Sequence, residues 1–360
     1  MFRYFFVKSL TPQKLQKLSM ALMIVSSIGL QAEAVKTSPD ATDVKQFTGT
    51  IERYSKDLNS LIANDAVINV LASGFEWSEG PVWINDAKAP YLLLSDVPQN
   101  KIFKWNEKTG LMVFMFPSGF EGAGGEHLRE AGSNGLIRFD NASIIAADHG
   151  RRSLSKINLS DQNKTTLVAH YQGNAFNSPN DLVMSKNGQL FFTDPPYGLK
   201  GLNQSPHKVL DFNGVYRVDI DGQVTAIDKD LSFPNGIGLS PDERTLYVAN
   251  SDPESPLWKK YSLDESGVVL STEIFYDASA AVAAGKAGLP DGMAVDQRGN
   301  IFASGPGGIY IFNSKGLLLG MIKLDRSASN CSFGGVGGST LFITADDLLL
   351  SIETNTHGLP

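Results

Sequence analysis

Through most of the chain, short apolar runs alternate with turn-forming residues at a spacing too tight for helices. Leu190-Phe191-Phe192-Thr193-Asp194, Gly214-Val215-Tyr216-Arg217-Val218 and Leu246-Tyr247-Val248-Ala249-Asn250 are rich in β-branched and aromatic residues. Lys186-Asn187-Gly188 and Asp221-Gly222 interrupt such runs. Asn-Gly and Asp-Gly between β-runs are strong hairpin signals, so the pattern predicts strands joined by tight turns. The pattern also recurs. Ser78-Glu79-Gly80-Pro81, Ser133-Asn134-Gly135-Leu136, Pro179-Asn180-Asp181-Leu182, Pro234-Asn235-Gly236-Ile237, Pro290-Asp291-Gly292-Met293 and Ser329-Asn330-Cys331-Ser332 share one signature. Each is followed by an apolar run that ends in a small or acidic residue. A repeat of roughly 40 to 55 residues built from short strands is one blade of a β-propeller. The expected fold is all-β: a six-bladed β-propeller over residues 67–360.

Two segments precede the ring. In residues 1–34, Arg3, Lys8, Lys14 and Lys17 lead into an apolar stretch from Leu18 to Leu30, and Ala32-Glu33-Ala34 offers a small-x-small cleavage site. That order reads as a signal peptide cut after Ala34. The apolar stretch is shorter than the roughly 20 residues of a spanning helix. A periplasmic or secreted protein, free of the membrane after cleavage, is expected. Residues 35–66 are polar and mixed, and read as an N-terminal arm with a short helix around Val44 to Leu61.

Charge narrows the partners. Without residues 1–34 the chain keeps 27 Lys and Arg against 37 Asp and Glu, a net of −10. Nucleic acid needs a basic footprint, so no nucleic-acid partner is expected. The single cysteine, Cys331, can form no internal disulfide.

The innermost strands of a propeller line a central channel, so Glu79, Asn134, Asn180, Asn235, Asp291 and Asn330 should ring one mouth. Calcium takes six to eight oxygen ligands, and Glu79, Asn180, Asn235 and Asp291 could supply several together. With only 5 histidines and no Cys/His pair at ligand spacing, zinc is disfavoured; Mn2+ and Zn2+ stand as alternatives to Ca2+. Ser118 to Gly132 and Pro195 to His207 depart from the blade pattern and read as loops over one face, where selectivity usually sits.

These segments resemble the regucalcin/gluconolactonase family of six-bladed calcium propellers. The resemblance rests on SEGPVW at 78–83, SPNDLV at 178–183, FTDPPYG at 192–198, FPNGIGLSPD at 233–242, LPDGMAVD at 289–296 and SGPGGIYIF at 304–312, taken in order. It implies metal binding by Glu79, Asn180, Asn235 and Asp291, and hydrolysis of a small-molecule sugar lactone or ester such as gluconolactone. One departure stands out: animal members carry arginine where this chain has Ser178. Asp148-His149-Gly150 resembles the bacterial branch and would set His149 at the channel mouth beside the metal. Asp291 is then the favoured general base and His149 its rival. Asn134, His149, Asp194 and Tyr197 are the expected substrate contacts. A phosphotriesterase of the same architecture, or a propeller that holds calcium only to bind a partner, would use the same ring.

Overall fold

The computed structural model describes residues 47–359. Six antiparallel sheets form six propeller blades, the first five each built on a four-strand meander that follows the one before it along the chain. The first blade runs Ser78–Ile84, Tyr91–Asp96, Lys101–Asn106 and Gly110–Met115, innermost strand first. The innermost strands of the next four are Ser133–Arg138, Leu182–Met184, Pro234–Leu239 and Met293–Val295. The only α-helix among the described residues is Ser279–Ala283.

The sixth blade is made from both ends of the described chain. Ala328–Gly334, Thr340–Ala345 and Leu348–Glu353 supply three strands, and Ile68–Ser73 pairs antiparallel with the third, Ile68 opposite Ile352 and Ser73 opposite Leu348. Ahead of it, Gly49–Arg53 adds a fifth strand to the outer edge of the fifth blade. The helix expected around 44–61 is therefore replaced, over its described part, by that strand and a 3-10 turn at Lys56–Ser60. An open strand edge on Leu318–Leu324 gives the arm backbone partners that an isolated helix lacks. Leu58, Leu61 and Ile62 then bury themselves between the last two blades.

The hydrophobic core is distributed between blades. Phe176, Phe192 and Tyr216 pack with Ile145 and Leu154 between the second and third blades, and Trp258, Tyr310 and Phe312 between the fourth and fifth. Alternation along each strand sends one set of side chains to each neighbour. The ring is thus held rigid around its axis.

Candidate active site

The six polar repeat residues reach the axis for a local reason. Strand register slips between Glu79 and Val82, between Ser133 and Leu136, between Pro234 and Ile237, and between Ala328 and Asn330. Such bulges re-aim a side chain out of the normal alternation. The two remaining repeats hold their residue just before the strand, where Asn180 N donates to Thr193 O at 2.8 Å and Asp291 N to Ser304 O at 3.0 Å.

The residue that follows explains the glycine of the repeat. A Cβ at Gly80 would stand 2.2 Å from the Asn134 carbonyl oxygen, and one at Gly236 2.1 Å from that of Asp291. Only glycine lets adjacent inner strands approach so closely. Hydroxyls from the second strands stitch the same ring: Ser95 Oγ donates to Asn134 O at 2.7 Å and Thr193 Oγ1 to Asn235 O at 2.6 Å.

At one mouth of the channel a cavity of about 360 Å³ brings Glu79, Asn134, Asn180, Asn235 and Asp291 together. Glu79 accepts from Gly80 N at 3.1 Å and, weakly, from Trp77 Nε1 at 3.4 Å. Asn235 Nδ2 donates to Ser251 Oγ at 2.9 Å, which leaves its carbonyl oxygen free. Asp291 Oδ1 and Asn134 Oδ1 are buried and have no hydrogen-bond partner. Burial is the main influence that pushes the Glu79 and Asp291 carboxyls upward, and their mutual repulsion and that of Asp181 add to it. Asp181 is raised to about 6 by the same burial.

These donors fit a hard divalent cation. They are all oxygens, two from carboxylates and three from amides, and two of the acceptors are unspent. Crowded, dehydrated carboxylates are the environment in which a bound cation restores the charged form. Among the described residues no group of three His, Cys, Asp or Glu gathers to hold a metal, so amide oxygens have to share in the donor set.

Several expectations need correction. Asp194 does not line the cavity: its carboxylate is fully buried and accepts from Asn177 N and Ser178 N, both at 2.8 Å. It braces the turn that presents Asn180. His149 is not at the mouth either. It is 0% exposed and lies behind the wall, its Nδ1 3.2 Å from Glu130 Oε2. Gly198 lies against it, so close that a Cβ there would stand 2.9 Å from His149 Cβ. Asn330 sits below the ring, its amide 3.4 Å from both Glu79 Oε2 and Asp181 Oδ2. Tyr197 does line the cavity, stacked on Phe233 with ring centroids 5.7 Å apart. Ser178, at the arginine position of the animal members, donates to Pro195 O at 2.5 Å and holds the Tyr197 loop.

Four residues of the site carry no repeat signal. Arg129 and Glu130 enter the wall from the glycine-rich loop, and Ser251 from the end of a second strand. Asp181 occupies the place that most repeats give to glycine, and projects into the channel beneath the ring. Trp77 also forms part of the wall.

A family model for the SMP-30/gluconolactonase/LRE-like region matches residues 77–347. The chain belongs to this family. The chain is similar to a gluconolactonase of Zymomonas mobilis, 41% identical over 348 residues and 94% of either chain. A pentonolactonase of Haloferax volcanii is 25% identical over 77% of this chain and 84% of its own. A solved gluconolactonase from Xanthomonas campestris superposes with a TM-score of 0.72 at 28% identity, over 86% of this chain and 97% of that one. The regucalcin of Agrobacterium tumefaciens, at 18% identity and a TM-score of 0.61 over 79% of this chain and 93% of its own, shares the fold.

Proposed function

We propose that the protein hydrolyses sugar lactones, opening a ring ester such as D-glucono-1,5-lactone to its aldonic acid with the help of a divalent cation, calcium first. The similarity to the Zymomonas gluconolactonase over 94% of both chains carries the reaction class. The oxygen ring in the cavity supports the cation.

Glu79, Asn180, Asn235 and Asp291 would hold the ion. When bound, it supplies Lewis-acid polarisation of the ester carbonyl. The chain's own groups do the rest. Trp77 and Tyr197 offer flat faces to the sugar ring, and Asn134 offers an amide for hydroxyls. Tyr197 keeps its proton, since burial and then Asp291 push the phenol upward, and its hydroxyl engages Ser251. A positioned, neutral donor of this kind orients a polyol without adding charge. Residues 1–34, which lie outside the described residues, support export to the periplasm or the exterior.

The test is hydrolysis of D-glucono-1,5-lactone by the purified protein, before and after chelation, with Ca2+, Mn2+ or Zn2+ added back. Metal-restored turnover that is lost in Asp291→Asn and Glu79→Gln is expected. Tight cation binding with no turnover of this or a panel of aldonolactones would overturn the reading in favour of a binding propeller. Sequencing the N-terminus of the protein recovered from cells checks the cut after Ala34.

A further inference from the structure

The ring leaves one need of the reaction unmet. Water attacking an ester must lose a proton, and Asp291 and Glu79, if they hold the cation, direct their lone pairs to it. A third carboxylate shares the cavity: Glu130, on the glycine-rich loop. Resting on the lactonase reading, we infer that Glu130 is the general base, and that His149 is the positioning residue behind it.

Each Glu130 oxygen has a basic side chain close by. Arg129 Nη1 lies 2.8 Å from Oε1, and His149 Nδ1 lies 3.2 Å from Oε2. Each carboxylate oxygen has two lone pairs, so one direction on each stays free for water. The His149 contact is not aligned as a hydrogen bond, so neither ring nitrogen has a partner although the residue is wholly buried. Burying an imidazole unsatisfied is costly, and catalytic hydrogen bonds are often loose before substrate binds. Among the described residues, Glu130 is the carboxylate placed against His149.

The surroundings fix the pair. Arg129 N donates to Gly198 O at 2.8 Å, and Leu128 bridges to Leu199, so the glycine-rich loop is tied to the loop that carries Tyr197. A side chain at position 198 would come within 2.9 Å of His149 Cβ, so the glycine lets that loop close over the ring. At the other end of the loop the buried Lys164 ammonium meets the Ser118 carbonyl and, at 3.0 Å, Asp148 Oδ2.

The step balances without a further reactant. Glu130 takes a proton from water as the new C–O bond forms at the carbonyl carbon. The tetrahedral oxyanion collapses, the ring C–O bond breaks, and the leaving alkoxide recovers that proton from Glu130. The aldonic acid then ionises in solution.

The experiment measures kcat and KM with D-glucono-1,5-lactone and Ca2+ for the unaltered protein, Glu130→Gln, His149→Asn and the double variant, with calorimetric Ca2+ titration of each. Glu130→Gln should lower kcat by about 10²- to 10⁴-fold. Its KM should stay within a few-fold of the unaltered value and its Ca2+ affinity should not change. His149→Asn should lower kcat by up to ~10²-fold through misplacement of the base. That loss should vanish in the Glu130→Gln background, because His149 acts only through Glu130. Formate should restore part of the activity to Glu130→Ala. Near-normal kcat in Glu130→Gln, or an equal His149→Asn loss in both backgrounds, would overturn the assignment. No turnover by the unaltered protein would sink the lactonase reading itself, and this inference with it.

Discussion

The Asn235 side chain donates its amide N–H to the hydroxyl of Ser251, 2.9 Å away, and this one bond decides which end of the amide faces the cavity. Ser251 in turn donates to the Pro290 carbonyl, next to Asp291. One hydroxyl therefore sets two of the proposed cation donors.

Ser251→Ala should free the Asn235 amide to turn its nitrogen inward. Loss of an orienting partner of this kind typically costs about 10- to 100-fold in metal affinity. Calcium titration of the variant checks it, and unchanged affinity would remove Asn235 from the ligand set.

Trp77 separates substrate binding from cation binding. Trp77→Ala should raise KM for the lactone by about 3- to 10-fold, the value of an aromatic face of roughly 0.5–1.5 kcal/mol, while Trp77→Phe keeps most of it. Calcium affinity should change little in Trp77→Phe, since the indole N–H reaches Glu79 only at 3.4 Å. Steady-state kinetics at saturating Ca2+ checks the contact with the lactone.

Gly236→Ala tests the close approach at the axis. Its Cβ would lie 2.1 Å from the Asp291 carbonyl oxygen, so the fourth and fifth inner strands must part. Forced overpacking of this sort costs about 1–3 kcal/mol. Both the melting temperature and calcium affinity should fall, whereas Gly222→Ala, at an open turn, should leave affinity intact.

Far from the cavity, acid sensitivity should come from Asp228. Burial raises its carboxyl, but Lys259 Nζ and Tyr261 Oη, both at 2.6 Å, and the Asp230 N–H outweigh it and hold the group below its ordinary value. A folded value below the unfolded one stabilises the protein above the unfolded value, 3.8, and that contribution is lost as pH falls through the folded value. Asp228→Asn should cost about 1–3 kcal/mol at neutral pH, and less in strong acid. Thermal melts from neutral pH down to about pH 2 test this, with kcat unchanged at neutral pH.

What the sequence made legible follows from periodicity. The six repeated segments, four of them polar-then-glycine, announced both the blade count and the ring, because the bulge and the close approach impose the same two residues on several blades. Glu130 and Arg129 could not be read this way, since the glycine-rich loop obeys no repeat and is placed by its bonds to Gly198. Asp181 was masked by its neighbour Asn180, which already filled the repeat position. Asp194 misled through proximity: it ends a strand beside the site, yet its carboxylate turns back to backbone N–H groups. His149 misled likewise, one residue past a strand that ends at the mouth but on the far side of Glu130.

The sixth blade joins Ile68–Ser73 to Leu348–Glu353, so the strand that leaves the ribosome early has no strand to pair with until the chain is almost finished. Until then every blade already made belongs to an open arc with two raw edges, and cooperative closure comes in a single late event. A chain built this way stays unlocked for as long as it is being synthesised. The cavity, which draws on all six blades at once, comes into being only when the circle shuts.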